Sequence, residues 1–152
     1  MTNLAPTLEA FFTQRLVAQR RASPNTIAAY RDAFRLLLGF VQERTGTRPE
    51  RLSLEDLDAP LIGAFLDHLE SSRGVGVTTR NSRLAAMHSF FRYAALRHPE
   101  HAGLIQRVLA IPAKRTGRGS VAYLTGVEID ALLGAPDRRT RIGRRDHALL
   151  LL

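Results

Sequence analysis

Two stretches of the chain set short polar side chains and arginine at the head of an apolar helical pattern. In "SPNT", Ser23 stands at a cap, Pro24 fills a first helical position where its missing N–H costs nothing, and Asn25 and Thr26 follow. In "TTRNSR", Thr78 and Thr79 supply hydroxyls at a cap, and Arg80, Asn81 and Arg83 occupy the first turn. Free N–H groups and the helix dipole at such an end attract anions, phosphate above all. Arginine adds bidentate bonds to phosphate or to a guanine edge in a major groove. Arg31 adds a cation to the first of these helices, and Lys114, Arg115 and Arg118 stand in a later basic stretch, "KRTGR". Arg80 falls on nearly the same helical face as Leu84 and Phe91, which predicts that this helix end projects beyond the core. Routine capping with solvated arginines explains either end alone. The two ends together with the basic stretch point to a polyanion.

Other chemistry is sparse. No Gly-rich phosphate loop, nucleophile elbow or zincin motif occurs, so neither a cofactor nor a catalytic residue is expected. His98 and His101 flank "PE" without a third ligand and are expected to be solvated rather than metal-bound; His68, His88 and His147 are isolated. Tyr30 and Tyr93 lie on apolar-rich helices and Tyr123 precedes a capped one, so buried or half-buried phenols are expected. The carboxylates between residues 43 and 70 are expected to form a solvated rim.

The elements that must position these residues are helices. Apolar residues recur at three- and four-residue steps in five stretches. The first, about Thr7–Arg20, carries Leu8, Phe11, Phe12 and Leu16; the second, about Pro24–Arg44, carries Ile27, Tyr30, Phe34, Leu37, Leu38 and Val41. Gly46, Pro49 and Pro60 then break the pattern, leaving room for one short turn after Ser53. The third, Pro60–Ser72, carries Leu61, Ile62, Phe65, Leu66 and Leu69. The fourth, about Thr79–Arg97, carries Leu84, Met87, Phe91 and Ala94; the fifth, about Glu100–Leu109, carries Leu104, Ile105, Val108 and Leu109. Strand signals are nearly absent, so the fold class is all-α, a four- to five-helix bundle with short connections. "IPAKRTGRGSVAY" reads as an extended basic linker. A new unit opens at "LTGVEIDALL", where Thr125 and Glu128 have capping-box spacing and Leu124 and Ile129 stand at staple positions. Leu149 to Leu152 are left without a continuation of their helix, and the second domain is expected to be cut short.

Charge supports a polyanion partner. Among the 152 residues, Lys and Arg number 22 against 14 Asp and Glu, a net +8. The excess is uneven: from Ser71 to Val127 Glu100 is the only acid. A basic half beside an acidic half fits one positive face turned toward nucleic acid. Without cysteine there is no disulfide framework, in keeping with a reducing compartment. No apolar run reaches the roughly 20 residues of a membrane span, and "MTNLAPTLEAFF" lacks the marks of a signal peptide. A cytoplasmic protein without a membrane partner is expected.

"SPNTIAAYRDAFRLLLGF", "VTTRNSRLAAMHSFFRYA", "IP" with a basic linker, "YLTGVEIDALLGA" and "GRRDHALLLL", in that order, resemble the tyrosine recombinases, the phage-integrase and Xer-like family. The resemblance implies that residues 1–110 form a SAM-like core-binding domain, that 111–122 are the linker, and that 123–152 are the truncated start of a catalytic domain. It implies double-stranded DNA as partner, gripped by the helices that start at Ser23 and Thr78. By the same resemblance Thr26, Thr79 and Arg80 fall where the family contacts DNA. The first and fifth helices would touch a neighbouring protomer, in a homo-oligomer or beside another recombinase. The family's catalytic arginine arrives in a Thr-Gly-x-Arg-like motif, and its Lys, His-x-x-Arg pair, further His or Trp and nucleophilic Tyr come later. None is matched here: Arg144 and Arg145 correspond to a structural "RRD", and Tyr123 is too early. The implied function is the DNA-binding portion of a site-specific recombinase, integrase or mobile-element transposase, itself without the catalytic residues. A non-enzymatic helical regulator or architectural DNA-binding protein is the alternative.

Overall fold

In a computed structural model of the chain, residues 1–117 and 124–152 are described; Arg118 and Tyr123 lie outside the described residues. The secondary structure of the described residues is helical, with no strand beyond a single bridge between Asn3 and Ser53. They divide into two compact units, Met1–Thr116 and Gly117–Leu152.

The first unit is a helical bundle. α1 covers Leu4–Ala10, with the Asn3 side chain accepting from the Ala5 N–H at its start. It winds on directly into a π-helical segment, Phe11–Gln19, where the periodicity predicts ordinary α-helix. The wider winding bonds i to i−5, as from the Arg20 N–H to the Arg15 carbonyl at 3.0 Å. It brings Phe11 and Leu16, five residues apart, onto the same buried face. α2 covers Pro24–Thr45 and ends where Gly46 adopts φ +71°, its N–H closing on the Gln42 carbonyl at 2.8 Å.

The chain between α2 and the next helix contributes more than one short turn. Two 3₁₀ turns, Pro49–Arg51 and Leu54–Asp56, place Leu52, Leu54 and Leu57 fully in the core. The Leu4 N–H bonds the Leu52 carbonyl, and the Leu54 N–H bonds the Thr2 carbonyl. α3 is Ala59–Ser71, capped by Asp58. α4, Val77–Arg97, is the central helix, and α5 is Ala102–Leu109 after a 3₁₀ turn at Pro99–His101. The rings of Phe11, Phe34 and Phe90 meet with centroids 5.3–6.4 Å apart, all T-shaped, which locks the first segment and α2 onto α4.

In the second unit, Thr125 and Glu128 form the expected capping box at the head of α6, Gly126–Gly134. α7, Arg141–Leu150, is capped by Thr140 and tied to α6 by a bond between His147 Nδ1 and the Leu133 carbonyl at 2.9 Å. Gly143 lies so near the Asp137 backbone that a side chain there would strike its carbonyl.

Candidate nucleic-acid interface

The head of α2 is built for capping and still leaves groups outward. Ser23 Oγ accepts from the Thr26 N–H at 3.2 Å and lies 3.0 Å from Thr26 Oγ1. One orphan donor of the first turn is thereby satisfied internally. Asn25 and Arg31 are exposed, and no hydrogen bond from either side chain is found among the described residues.

The head of α4 differs from the sequence expectation. The cap is Gly76, with no side chain to accept a bond, and the helix begins at Val77. Thr78 and Thr79 are therefore the second and third helical residues, exposed, rather than caps. The first N–H to find a carbonyl is that of Arg80, 3.0 Å from Gly76 O. The N–H groups of Val77, Thr78 and Thr79 are the unsatisfied donors of the helix start, held where its dipole is positive.

Arg80 does not project beyond the core. It is 6% exposed, and its Nη1 donates to the Asn81 Oδ1 at 3.2 Å and to the Pro112 carbonyl at 3.3 Å. Arg80 does lie on the apolar face, as its angular position predicts; the helix end is not free, because residues 111–114 pass over that face. Asn81 is engaged as well, bonding both the N–H and the C=O of Lys114 at 3.0 and 2.7 Å. Arg83, 17% exposed at its side chain, pairs with Asp32 of α2 at 3.0 Å, and Asp32 also receives Arg35 at 2.8 Å. Those two arginines hold the Asp32 carboxyl below the usual carboxylate range, Arg35 contributing most.

Asp32 sits eight residues after Pro24, and Arg83 six after Val77. At 1.5 Å per residue, their shared ion pair is about 12 Å along α2 from its start and about 9 Å along α4 from its start. The pair thus ties α2 to α4 within a few turns of both helix heads. In the basic stretch, Lys114 is ion-paired with Glu70 of α3 and Arg115 is exposed.

The remaining ionisable groups serve the fold. His98 and His101 are not solvated: Thr7 Oγ1 lies 2.9 Å from His98 Nε2, and Thr2 Oγ1 2.8 Å from His101 Nε2. They fasten the N-terminal segment to the turn before α5, with Glu55 and Glu100 beside them. No cluster of three or more candidate metal ligands occurs among the described residues. Tyr30 is half-buried and Tyr93 buried. The groups that sequence reasoning missed are acidic, Asp32 and Glu70. Each pairs with a base distant in sequence, and nothing local singles them out from the other carboxylates.

Residues 10–98 match the phage integrase N-terminal SAM-like domain family. An integrase/recombinase of Sinorhizobium fredii, y4rC, is 61% identical over 150 residues, spanning 99% of this chain and 45% of that protein. A second from the same organism, y4rD, is 50% identical over 97% of this chain and 53% of its own length. The tyrosine recombinase XerD of Pseudomonas putida is 33% identical over 91% of this chain and 43% of its own length. No solved structure matches significantly. The chain belongs to the Xer-like tyrosine recombinase (phage integrase) family, and residues 10–98 are its N-terminal SAM-like domain. It spans about half the length of the curated relatives it matches.

Proposed function

We propose that this chain is the double-stranded-DNA-gripping portion of a site-specific recombinase or integrase. The open head of α4 carries the reading: three orphan N–H groups, two exposed threonine hydroxyls and a glycine cap leave an anion site in a family of DNA recombinases. The contacts would come from Asn25, Thr26 and Arg31 on α2, from Thr78 and Thr79 on α4, and from Arg115 beyond the bundle, with Ser23 holding the α2 head in shape. Arg80, Asn81 and Arg83 support this surface from behind, since their side chains are bonded within the fold. No strand-cutting step is assigned to Tyr30 or Tyr93: both pack with the bundle core, and the Arg97 guanidinium is stacked over the Tyr93 ring at 5.3 Å from its centroid, where it serves packing.

Fluorescence anisotropy of the whole chain with labelled duplex, across a salt series, tests the reading. If about six phosphates are neutralised, affinity falls by roughly a thousandfold between 50 and 200 mM salt. Arg31→Ala should weaken binding and shallow the salt slope by about one contact. Binding to duplex that ignores salt, or no binding at low salt, would discard the proposal.

A further inference from the structure

The path of the chain as it leaves the bundle is held without secondary structure. Residues 111–117 are neither helix nor strand, yet three of their backbone groups are bonded to two adjacent α4 side chains. Asn81 pairs with the peptide of Lys114 as a neighbouring strand would, Nδ2 donating to its carbonyl and Oδ1 accepting from its N–H. Arg80 fixes the orientation of that amide, because Oδ1 also accepts from Arg80 Nη1. A flipped amide would set its NH₂ against a guanidinium N–H and a peptide N–H at once. The same Nη1 reaches the Pro112 carbonyl, and Lys114 Nζ pairs with Glu70 at the end of α3. Ile111, just before, packs on the core.

Burying a guanidinium is costly unless it is bonded, and Arg80 Nε has no partner. A residue serving only as a solvated phosphate ligand has no reason to bear that cost. We propose that Arg80, Asn81 and Glu70 are positioning residues forming a clasp on residues 112–114, which sets the direction in which the chain leaves the SAM-like domain. Asn81 is its centre. The Glu70–Lys114 pair lies at the surface, its side chains 22% and 48% exposed, and adds less than the two amide bonds. The clasp stands on contacts within the first unit and is independent of whether the chain meets DNA.

Amide hydrogen exchange of the full chain by NMR reads the clasp at one proton. The Lys114 N–H should be protected, and Asn81→Ala should speed its exchange about tenfold or more while Met87 to Ala94 in α4 keep their rates. Asn81→Asp, which retains the acceptor and loses the donor, should fall between the two. A change in helix stability alone would move α4 instead. Because the chain has no cysteine, nitroxide labels at Ser71→Cys and Thr116→Cys report the strap directly. Their distance distribution should be narrow in the native sequence and broad with Asn81→Ala. Arg80→Ala removes a buried side chain and risks unfolding, so half-exposed Asn81 carries the test. An unprotected Lys114 N–H in the native sequence, or a distance distribution that Asn81→Ala leaves unchanged, would overturn the clasp.

Discussion

Asp32 and His88 are the side chains whose ionisation is tied to the packing of α4. Arg35 and Arg83 hold the Asp32 carboxyl low, so its contribution is present above the ordinary carboxylate range and is lost as pH falls through the lowered native value. Asp32→Asn should therefore flatten the acid limb of stability, read as the urea midpoint between about pH 2 and 5. Since Asp32 is itself well exposed, the loss at neutral pH should be no more than roughly 1 kcal/mol. His88 packs under α5, its ring 3.1 Å from the Val108 carbonyl through Nε2. Burial, reinforced by Arg92, pushes it below its ordinary 6.5, against the pull of that carbonyl. A lowered native value means the unfolded chain takes up the proton first, so stability is full above about pH 6.5 and declines as pH falls below it. Replacing His88 with Gln should remove that decline, and an unchanged profile would place the pH dependence elsewhere.

Among the elements, α4 carries both the core and the candidate DNA surface, and its first turn divides the two. Gly76 adopts φ −68° and ψ 160°, open to any residue, so an acidic cap can be installed there without strain. Gly76→Asp should stabilise the bundle by a few tenths of a kcal/mol, read as a small rise in Tm. It should also weaken duplex binding, because a carboxylate then occupies the site left for phosphate. Stability and affinity moving in opposite directions is the signature of that site; both unchanged would remove the α4 head from it. The helices from α2 to α5 were legible from apolar stripes, since Phe34, Leu37 and Val41 in α2, or Leu84, Met87, Phe91 and Ala94 in α4, recur at steps set by 3.6 residues per turn. In the first stretch the apolar face of Leu8, Phe11, Phe12 and Leu16 was legible but the π winding was not, because one stripe of that length fits i to i−4 and i to i−5 bonding alike. Leu52, Leu54 and Leu57 were also hidden, sitting among Pro, Glu and Asp that read as a loop.

At the scale of the molecule, the two units differ in what they bury. The first holds a continuous core from Leu4 to Val108, while Gly143 is the only buried residue among the described residues of the second. Capping boxes and turns hold helices of 9 and 10 residues only weakly without apolar burial. Amides of α6 and α7 should exchange within seconds to minutes under conditions where the core of α4 remains protected for hours or longer, a contrast that mass spectrometry resolves. Gly143→Ala should accelerate exchange in α7 further, because the added methyl strikes the Asp137 carbonyl and the turn must open.

Local chemistry is written in the sequence: which stretches are helical, where Ser23 and Thr125 cap them, and which face of each is apolar. These follow from neighbours three or four residues apart, whose relation is fixed once the backbone coils. The family resemblance rested on the same stripes and motifs, and the match over residues 10–98 agrees with it. What Arg80, Asn81 and Arg83 do was decided only by tertiary structure. Their partners, Pro112, Lys114 and Asp32, lie 32, 33 and 51 residues away. A surface cation and a buried strut have the same one-letter code, and only the chain that packs over a side chain determines whether its hydrogen bonds go to protein or to a ligand.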